Sequence, residues 1–374
     1  MKIIILKNYL KIGLEVVGGV INENTNTTLP ILKNFLIETI DNKIRLSTTN
    51  LELAVTYFVP GKIIENGSLT IPFSIFNSII NNLWVDRINL EVEENNLIIK
   101  TDNYQAKIQG IKKDEFPILP QIKEKNNFFK ISVSIFKKAL LSLISAAQFS
   151  EIKPELNGVL FDFQLNFLKL AATDSFRLAE KTIINTQFES NLEQGFKAII
   201  PLKTIQEITK ALKEKNDDKL DIYFDQSQIF LRNENIEIIS RLVNNNFPDY
   251  QSIIPQSFET EIVLGKEQLI NAIKLTSSFT DKLNEVKILI KEKSKNIEIR
   301  SSNQVVGENQ YLIPAKISGR PLEIIFNWRF ILDGIKNLES ENVFIGFNGD
   351  NKPALIKPPA DISYFYILMP VKSI

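Results

Sequence analysis

Threefold internal repetition constrains this chain more than any single residue does. A Pro-led or Asn-led amphipathic segment, Ile71-Pro72-Phe73 to Leu83, recurs as Ile200-Pro201-Leu202 to Leu212 and as Phe326-Asn327-Trp328 to Leu338. Apolar residues fall in register among the copies: Phe73, Leu202 and Trp328; Phe76, Ile205 and Ile331; Leu83, Leu212 and Leu338. Roughly 60 residues upstream of each lies a second short helical pattern, marked by Leu10 and Leu14, Phe136 and Leu140, and Leu269 and Ile273. The repeating unit is therefore about 125 residues long, with two helices among strands. At 374 residues the chain is too long for one ordinary core, and three domains match the usual domain size. Three similar domains in one chain build a surface with rotational symmetry, which suits a long and uniform partner.

Between the helical segments lie short β-rich runs of period two: 43–47, 97–100, 220–224, 229–231, 236–238, 287–290 and 297–299. Turn residues such as Glu94-Asn95-Asn96 and Lys295-Asn296 separate several of them, which predicts antiparallel hairpins. Runs of strands punctuated by two helices, without strict βαβ alternation, predict an α+β unit with its helices on one face of the sheet. Pro and polar residues interrupt the periodicity from Ile118-Leu119-Pro120 to Asn127 and at Pro255-Gln256-Ser257-Phe258. The expected domains are therefore 1–125, 126–256 and 257–374.

The 44 basic and 44 acidic side chains cancel, so any basic surface has to be local. Having neither His nor Cys, the chain cannot form disulfides, imidazole or thiolate metal sites, thiolate nucleophiles or Ser-His-Asp arrangements. No metal or cofactor site is expected. The opening Met1-Lys2-Ile3-Ile4-Ile5-Leu6-Lys7 reads as a first β-strand, because its apolar run is too short for a signal peptide. No run of about 18 apolar residues follows, so no membrane span is expected. A cysteine-free chain read without an export signal fits a cytoplasmic location.

Charge is not balanced within the six helical patterns. Over 7–17, 71–83, 134–147, 201–215, 266–277 and 328–338 there are about 12 Lys or Arg against about 5 Asp or Glu. Lys7, Lys11, Lys137, Lys138, Lys203, Lys210, Lys213, Lys274, Arg329 and Lys336 carry this excess. Each alone reads equally as part of a solvated helix face; together they mark a basic side of the helices.

Six strings in order then resemble one family. TLPIL from Thr28, TTNLELAV from Thr48, LNGVLFDF from Leu156, ATDSFRLA from Ala172, FPDYQSIIP from Phe247 and the terminal ILMPVKSI are similar to the bacterial DNA polymerase III beta subunit, the sliding clamp. The resemblance implies a ring of two three-domain chains, helices inside and antiparallel sheets outside, that encircles double-stranded DNA without reading its sequence. It also implies that the ring holds the replicative polymerase on that DNA. Helix spacing agrees with this. Six helices at about 10 Å make a circle with a bore of about 9 Å, whereas twelve from a head-to-tail homodimer leave a bore near 28 Å, wider than a duplex of about 20 Å. Lysines meeting phosphates loosely would centre the duplex and leave sliding nearly free.

Taken as residues alone, Ala172-Thr173-Asp174-Ser175 is a polar turn between strands, and Asp174 with Arg177 is a local ion pair. The resemblance adds that Thr173, Ser175, Phe176, Arg177 and Leu178 line a groove for short linear peptides, with Leu156, Pro248, Ser252, Ile253, Pro353, Ile367, Met369 and Pro370 as its other walls. Partners implied are the polymerase catalytic subunit, the clamp loader and other proteins bearing Gln and Leu/Phe anchors. Phe176 stands where the family usually has His or Tyr, Ser175 replaces a frequent Gly and Ser252 a frequently basic residue. Asn24-Thr25-Asn26 lacks the family's frequent Arg, and the tail ends Val371-Lys372-Ser373-Ile374. The family's dimer contact maps onto Lys100, Tyr104 and Lys107 facing Ser277, Ser278, Phe279 and Glu308, with Glu308 the one charge in its stretch.

Two competing classes remain open to the sequence. A carboxylate enzyme would use residues such as Asp174, Glu180 and Asp249, yet their spacing suggests no pair and no Walker or Rossmann loop appears. Val17-Gly18-Gly19-Val20 is more simply a helix end. A scaffold unrelated to DNA would use the repeat only to display grooves.

Overall fold

The computed structural model describes residues 1–21, 29–120, 128–149, 152–213 and 218–371. Asn24-Thr25-Asn26, Thr28, the boundary stretch from 121 to Asn127, Ser150, the end of the 201–215 helical pattern and Lys372-Ser373-Ile374 lie outside the described residues.

The first repeat runs β1 (Lys2–Leu6), α1 (Lys7–Gly18), β2 (Asn34–Ile40), β3 (Lys43–Thr49), β4 (Leu53–Val59), β5 (Gly61–Glu65), β6 (Ser68–Pro72), α2 (Phe73–Asn82), β7 (Arg87–Glu93), β8 (Asn96–Lys100) and β9 (Gln105–Gln109). The second follows the same order: β10 (Phe128–Ser132), α3 (Val133–Ile144), β11 (Gly158–Phe163), β12 (Phe167–Thr173), β13 (Arg177–Ile184), β14 (Phe188–Ser190), β15 (Phe196–Pro201), α4 (Leu202–Ala211), β16 (Lys219–Phe224), β17 (Gln228–Arg232) and β18 (Ile236–Arg241). In the third, β19 (Thr260–Gly265), α5 (Lys266–Ser277), β20 (Glu285–Ile290) and β21 (Asn296–Asn303) lead into the long β22 (Gly307–Gly319). Then come β23 (Leu322–Asn327), α6 (Trp328–Lys336), β24 (Asn342–Phe347), β25 (Ala354–Lys357) and β26 (Tyr364–Leu368). β22 does the work of two strands, pairing with β21 through its first part and with β19 through its last five residues.

The repeated helices form where the apolar spacing places them. Phe76, Ile205 and Ile331 are all buried, each contributing about 1.5–3 kcal/mol by leaving water. Asn327 caps α6 by accepting from the Arg329 N–H at 3.0 Å. α1 ends at Gly18, as the Gly-Gly pair predicts. A Cβ on Gly19 would fall 1.6 Å from Glu207 Oε2, so any larger residue there displaces the Glu207 carboxylate.

The chain divides into two compact units. The first holds Met1–Lys137, Gln187–Glu193 and Lys203–Leu242, with a five-stranded sheet β5-β1-β7-β8-β9 and a nine-stranded sheet β14-β10-β16-β17-β18-β4-β3-β2-β6. The second holds Lys138–Thr186, Gln194–Leu202 and Val243–Ile374, with a twelve-stranded sheet β15-β11-β12-β13-β26-β25-β24-β19-β22-β21-β20-β23. Every strand pairing among the described residues is antiparallel, as the hairpin signals predict. In each unit the sheet runs on from one repeat into the next, through β18 with β4 in the first and β26 with β13 in the second.

Candidate functional site

The groove expected from the sequence is organised by the turn between β12 and β13. Asp174 Oδ1 accepts from the Phe176 and Arg177 N–H groups at 2.9 and 3.0 Å, and Thr173 Oγ1 donates to the Arg177 carbonyl at 2.7 Å. This is the polar turn read from the residues. It holds Ser175 at φ 79°, a left-handed backbone that accounts for the family's glycine there. The expected Asp174–Arg177 ion pair is present, Nε to Oδ2 at 2.8 Å. Arg177 also reaches Asp333 Oδ2 at 2.6 Å and lies over the Phe330 ring at 4.2 Å from its centroid. Burial alone would lower the guanidinium's pKa; Tyr366, Asp174 and Asp333 outweigh it and hold it raised, so Arg177 is a fixed cation. Phe330 and Asp333 of α6 were missed in the sequence, since no local pattern ties them to a turn about 150 positions earlier.

Beneath the turn, Leu160, Ala171, Leu178, Ile199, Tyr250 and Ile367 form one buried cluster. Leu178 and Ile367 face each other across the β13–β26 pairing and are each 1% exposed, so they lie beneath the surface and do not line it. Burial and the neighbouring Glu180 carboxylate push the Tyr250 phenol up, and its O–H donates to Glu180 Oε2 at 2.6 Å. That bond anchors the 3-10 turn Gln251–Ile253, which presents Ser252 and Ile253 outward. Phe176 (61% exposed), Ile253 and Met369 are the exposed apolar groups of the rim, and the Met369 N–H donates to the Phe176 carbonyl at 2.9 Å. Pro248 and Ser175 are exposed, Pro353 and Pro370 half-buried and Thr173 buried. Lys153 Nζ lies 3.2 Å from Ser175 Oγ. Leu156 is buried in a 3-10 turn just before β11, the strand that supplies Leu160.

The basic helix residues separate into three kinds. Lys7 donates from the start of α1 to the carbonyl of Leu83, just past the end of α2. Lys137 of α3 reaches the equivalent Leu212 carbonyl at 2.8 Å, and Lys266 of α5 the equivalent Leu338 carbonyl at 2.6 Å and that of Lys336 at 3.2 Å. In every repeat, then, a lysine of the first helix clasps the negative end of the second. Lys11, Lys203, Lys274 and Arg329 are exposed and without an ion pair among the described residues, Arg329 lying over Trp328 at 5.2 Å. Lys138, Lys210, Lys213 and Lys336 pair with Glu339, Glu207, Glu15 and Asp333 at 3.1, 2.9, 3.6 and 2.5 Å.

Of the strand edges without a partner among the described residues, two carry residues expected at the dimer contact. β9, which carries Lys107 and follows Tyr104, pairs only with β8, and β22 from Gly307 to Pro314 pairs only with β21. Lys100 sits on β8, 3.5 Å from Glu91. Glu308 lies in the open stretch of β22, and Thr276 at the end of α5 donates to Asn309 Oδ1 at 3.1 Å. Ser277, Ser278 and Phe279 follow Thr276 directly, and Ser301 Oγ donates to the Phe279 carbonyl at 3.0 Å.

Three tandem copies of a two-helix unit, with the sheet running on from one repeat into the next and exposed cations on several helices, define a clamp-type subunit. Three consecutive segments match one family: the N-terminal domain of the DNA polymerase III beta subunit over residues 1–120, its central domain over 130–249 and its C-terminal domain over 251–372. The beta sliding clamp of Bacillus subtilis is 28% identical over 361 residues, covering 94% of each chain. Its crystal structure superposes with a TM-score of 0.92 over 100% of both chains, and the beta subunit of Thermotoga maritima with 0.90 at 26% identity, also over 100% of both. The chain belongs to the DNA polymerase III beta subunit family, the beta sliding clamps. It has the family's three-domain α+β architecture and ring-dimer arrangement, and the family's non-catalytic role in replication, that of a processivity clamp for DNA polymerase III.

Proposed function

We propose that two copies of this chain, each with domains 1–125, 126–256 and 257–374, close head to tail in the cytoplasm, β9 of one against β22 of the other. The open helix cations Lys11, Lys203, Lys274 and Arg329 face the DNA, assisted by Lys138, Lys210, Lys213 and Lys336. Lys7 and Lys137 act mainly as helix clasps. The replicative polymerase, the clamp loader and other motif-bearing proteins dock one at a time in the groove. Their apolar anchors cover Phe176, Ile253 and Met369 above the Leu178–Ile367–Tyr250 floor, and polar anchors meet the pinned Arg177 turn.

The observation that carries this reading is the run of sheet from repeat to repeat. At both internal junctions the last strand of one repeat (β18, β26) joins the middle strand of the repeat before it (β4, β13), and the equivalent strands β9 and β22 have no such partner among the described residues. Retention on nicked circular DNA in high salt, lost when the circle is cut, is the expected result. An electrostatic binder loses affinity steeply with salt whatever the ends do, so salt-sensitive binding indifferent to cutting would overturn the reading.

A further inference from the structure

We infer that the junction of the first and second repeats carries a second docking groove, over β4 and β18, for a linear segment that sets an acidic residue beside an apolar anchor. It rests on the groove proposed above, at the junction of the second and third repeats, and goes beyond it by assigning a site to the other internal junction.

The turn that organises the first groove recurs here hydrogen bond by hydrogen bond. Asn50 Oδ1 accepts from the Glu52 and Leu53 N–H groups at 3.0 and 2.8 Å, as Asp174 Oδ1 does from Phe176 and Arg177. Thr49 Oγ1 donates to the Leu53 carbonyl at 3.1 Å and accepts from the Leu51 N–H at 3.0 Å, as Thr173 does with Arg177 and Ser175. The Arg241 N–H donates to the Glu52 carbonyl at 2.9 Å, the counterpart of the bond from Met369 to Phe176. Beneath, Ala54 pairs with Ile239 as Leu178 pairs with Ile367, and all four are buried. One scaffold is thus used twice.

Its upper surface differs, and the difference sets the ligand. Half-buried Leu119, Tyr223 and Phe230 pack against Ala54 and Ile239, with the two rings stacked at 6.1 Å between centroids. Leu51 takes the place of Ser175 at φ 76° and is 45% exposed, so an apolar side chain is held outward on a backbone that favours glycine. Phe176 and Met369, the apolar rim of the first groove, are replaced by Glu52 and Arg241, which pair at 3.3 Å and are both largely exposed. Exposed pairs of this kind hold weakly. A carboxylate arriving with a ligand therefore exchanges with Glu52 on the Arg241 guanidinium, whose planar fork takes it through two parallel bonds. An apolar anchor beside that carboxylate covers Leu51 and the stacked rings. In the first groove the guanidinium of Arg177 is already held by Asp174 and Asp333, so the two grooves select different segments.

Two short fluorescein-labelled peptides test this on the full-length protein by anisotropy, one with Gln and Leu/Phe anchors and one with Leu-Phe flanked by aspartates. The aspartate peptide is expected to bind and to resist displacement by an excess of the Gln peptide. R241E is expected to weaken the aspartate peptide by about tenfold or more and to leave the Gln peptide unchanged, whereas F176A/M369A does the reverse. L51G separates folding from binding: glycine suits the left-handed backbone, so the variant is expected to melt no lower than wild type while binding the aspartate peptide about threefold or more weakly. Displacement of the aspartate peptide by the Gln peptide, its loss in F176A/M369A in place of R241E, or no binding of it to wild type overturns the second site and leaves the first groove standing. If the Gln peptide alone fails to bind, the first groove is overturned, and the response of the aspartate peptide to R241E and L51G still decides the second. Failure of both peptides on wild type overturns both.

Discussion

Lys266→Met separates the carbonyl-bonded helix lysines from the exposed, unpaired ones. Its ammonium donates to two carbonyls at the end of α6, at 2.6 and 3.2 Å, from a half-buried position. A charged hydrogen bond of this sort contributes about 1.5–3 kcal/mol, and the attraction to the helix end is part of the same energy and is not added to it. Fixing a lysine side chain costs up to about 2 kcal/mol, and methionine keeps most of the apolar stem, so the expected net loss is about 1–2 kcal/mol. For a unit of this size that lowers Tm by about 2–8 °C. Lys274→Met, on the same helix but exposed and unpaired, is expected within about 0.5 kcal/mol of wild type. The second assay is the salt dependence of association with a short linear duplex. K274M should flatten it, by at most about 0.9 in the log–log slope for one full phosphate contact, while K266M leaves it unchanged. If K266M melts like wild type and changes the salt slope instead, the clasp is misassigned.

Other outcomes follow from the groove, the buried acids and the open edges. Phe176→Ala with Met369→Ala is expected to weaken binding of a peptide with Gln and Leu/Phe anchors by about tenfold or more, at roughly 1–2 kcal/mol for each truncated side chain. The dimer and Tm should stay as in wild type, and fluorescence anisotropy with sedimentation reads both. Leu178→Ala is a poorer probe: at 1% exposure it opens a cavity costing about 2–5 kcal/mol, so L178A with M369A should abolish polymerase stimulation partly by loosening the floor. Burial pushes the Glu38 carboxyl up, but Lys113 at 2.5 Å and Arg45 outweigh it and hold it below its ordinary 4.5. The stability this confers is full above that value and lost as pH falls through the lowered pKa. E38Q should therefore melt lower at pH 7 yet show a flatter acid limb between about pH 5 and 3 in thermal scans, and an unchanged acid limb would refute the linkage. Dimerisation should depend only weakly on salt, with one charge pair per seam, and a marked loss of dimer at high salt in sedimentation would contradict this.

The repeat, the six helices and the strands were legible because their signals are local. Period-two runs such as 220–224 fall inside β16, and Leu10 and Leu14, Phe136 and Leu140, and Leu269 and Ile273 are buried as their spacing requires, while Leu202 and Trp328, the counterparts of Phe73, are half-buried. The turn at Asp174 was equally legible, since an Asx residue caps its own neighbours. What the sequence could not show depends on which strands meet. Leu178 reads as one more apolar residue until β26 is laid beside β13, and Asp333 reads as an α6 surface acid until Arg177 reaches it. Nor does a lysine at a helix start announce whether it will meet a phosphate or a carbonyl. Its recurrence at positions 7 and 266, both first in their helices, was the available hint, and the second repeat hid it by placing Val133 first and using Lys137 one turn later.

That substitution within the second repeat also bears on how the three copies are held to a common geometry. If the lysine were kept only as positive charge, Val133 could stand beside a lysine anywhere on the exposed face of α3. Instead Lys137 supplies its amine to the carbonyl of Leu212, equivalent to Leu83 and Leu338, from a different starting point. Two routes to one contact indicate that the contact matters more than the position. Tying the two helices of each repeat at the same point gives each repeat the same internal helix geometry, the regularity that a smooth polyanion would need to pass without a preferred resting place. Replacing Lys7, Lys137 and Lys266 together should therefore slow or roughen diffusion along DNA in single-molecule tracking even where the ring stays closed. Unaltered diffusion in a triple variant that still dimerises would confine the clasps to stability alone.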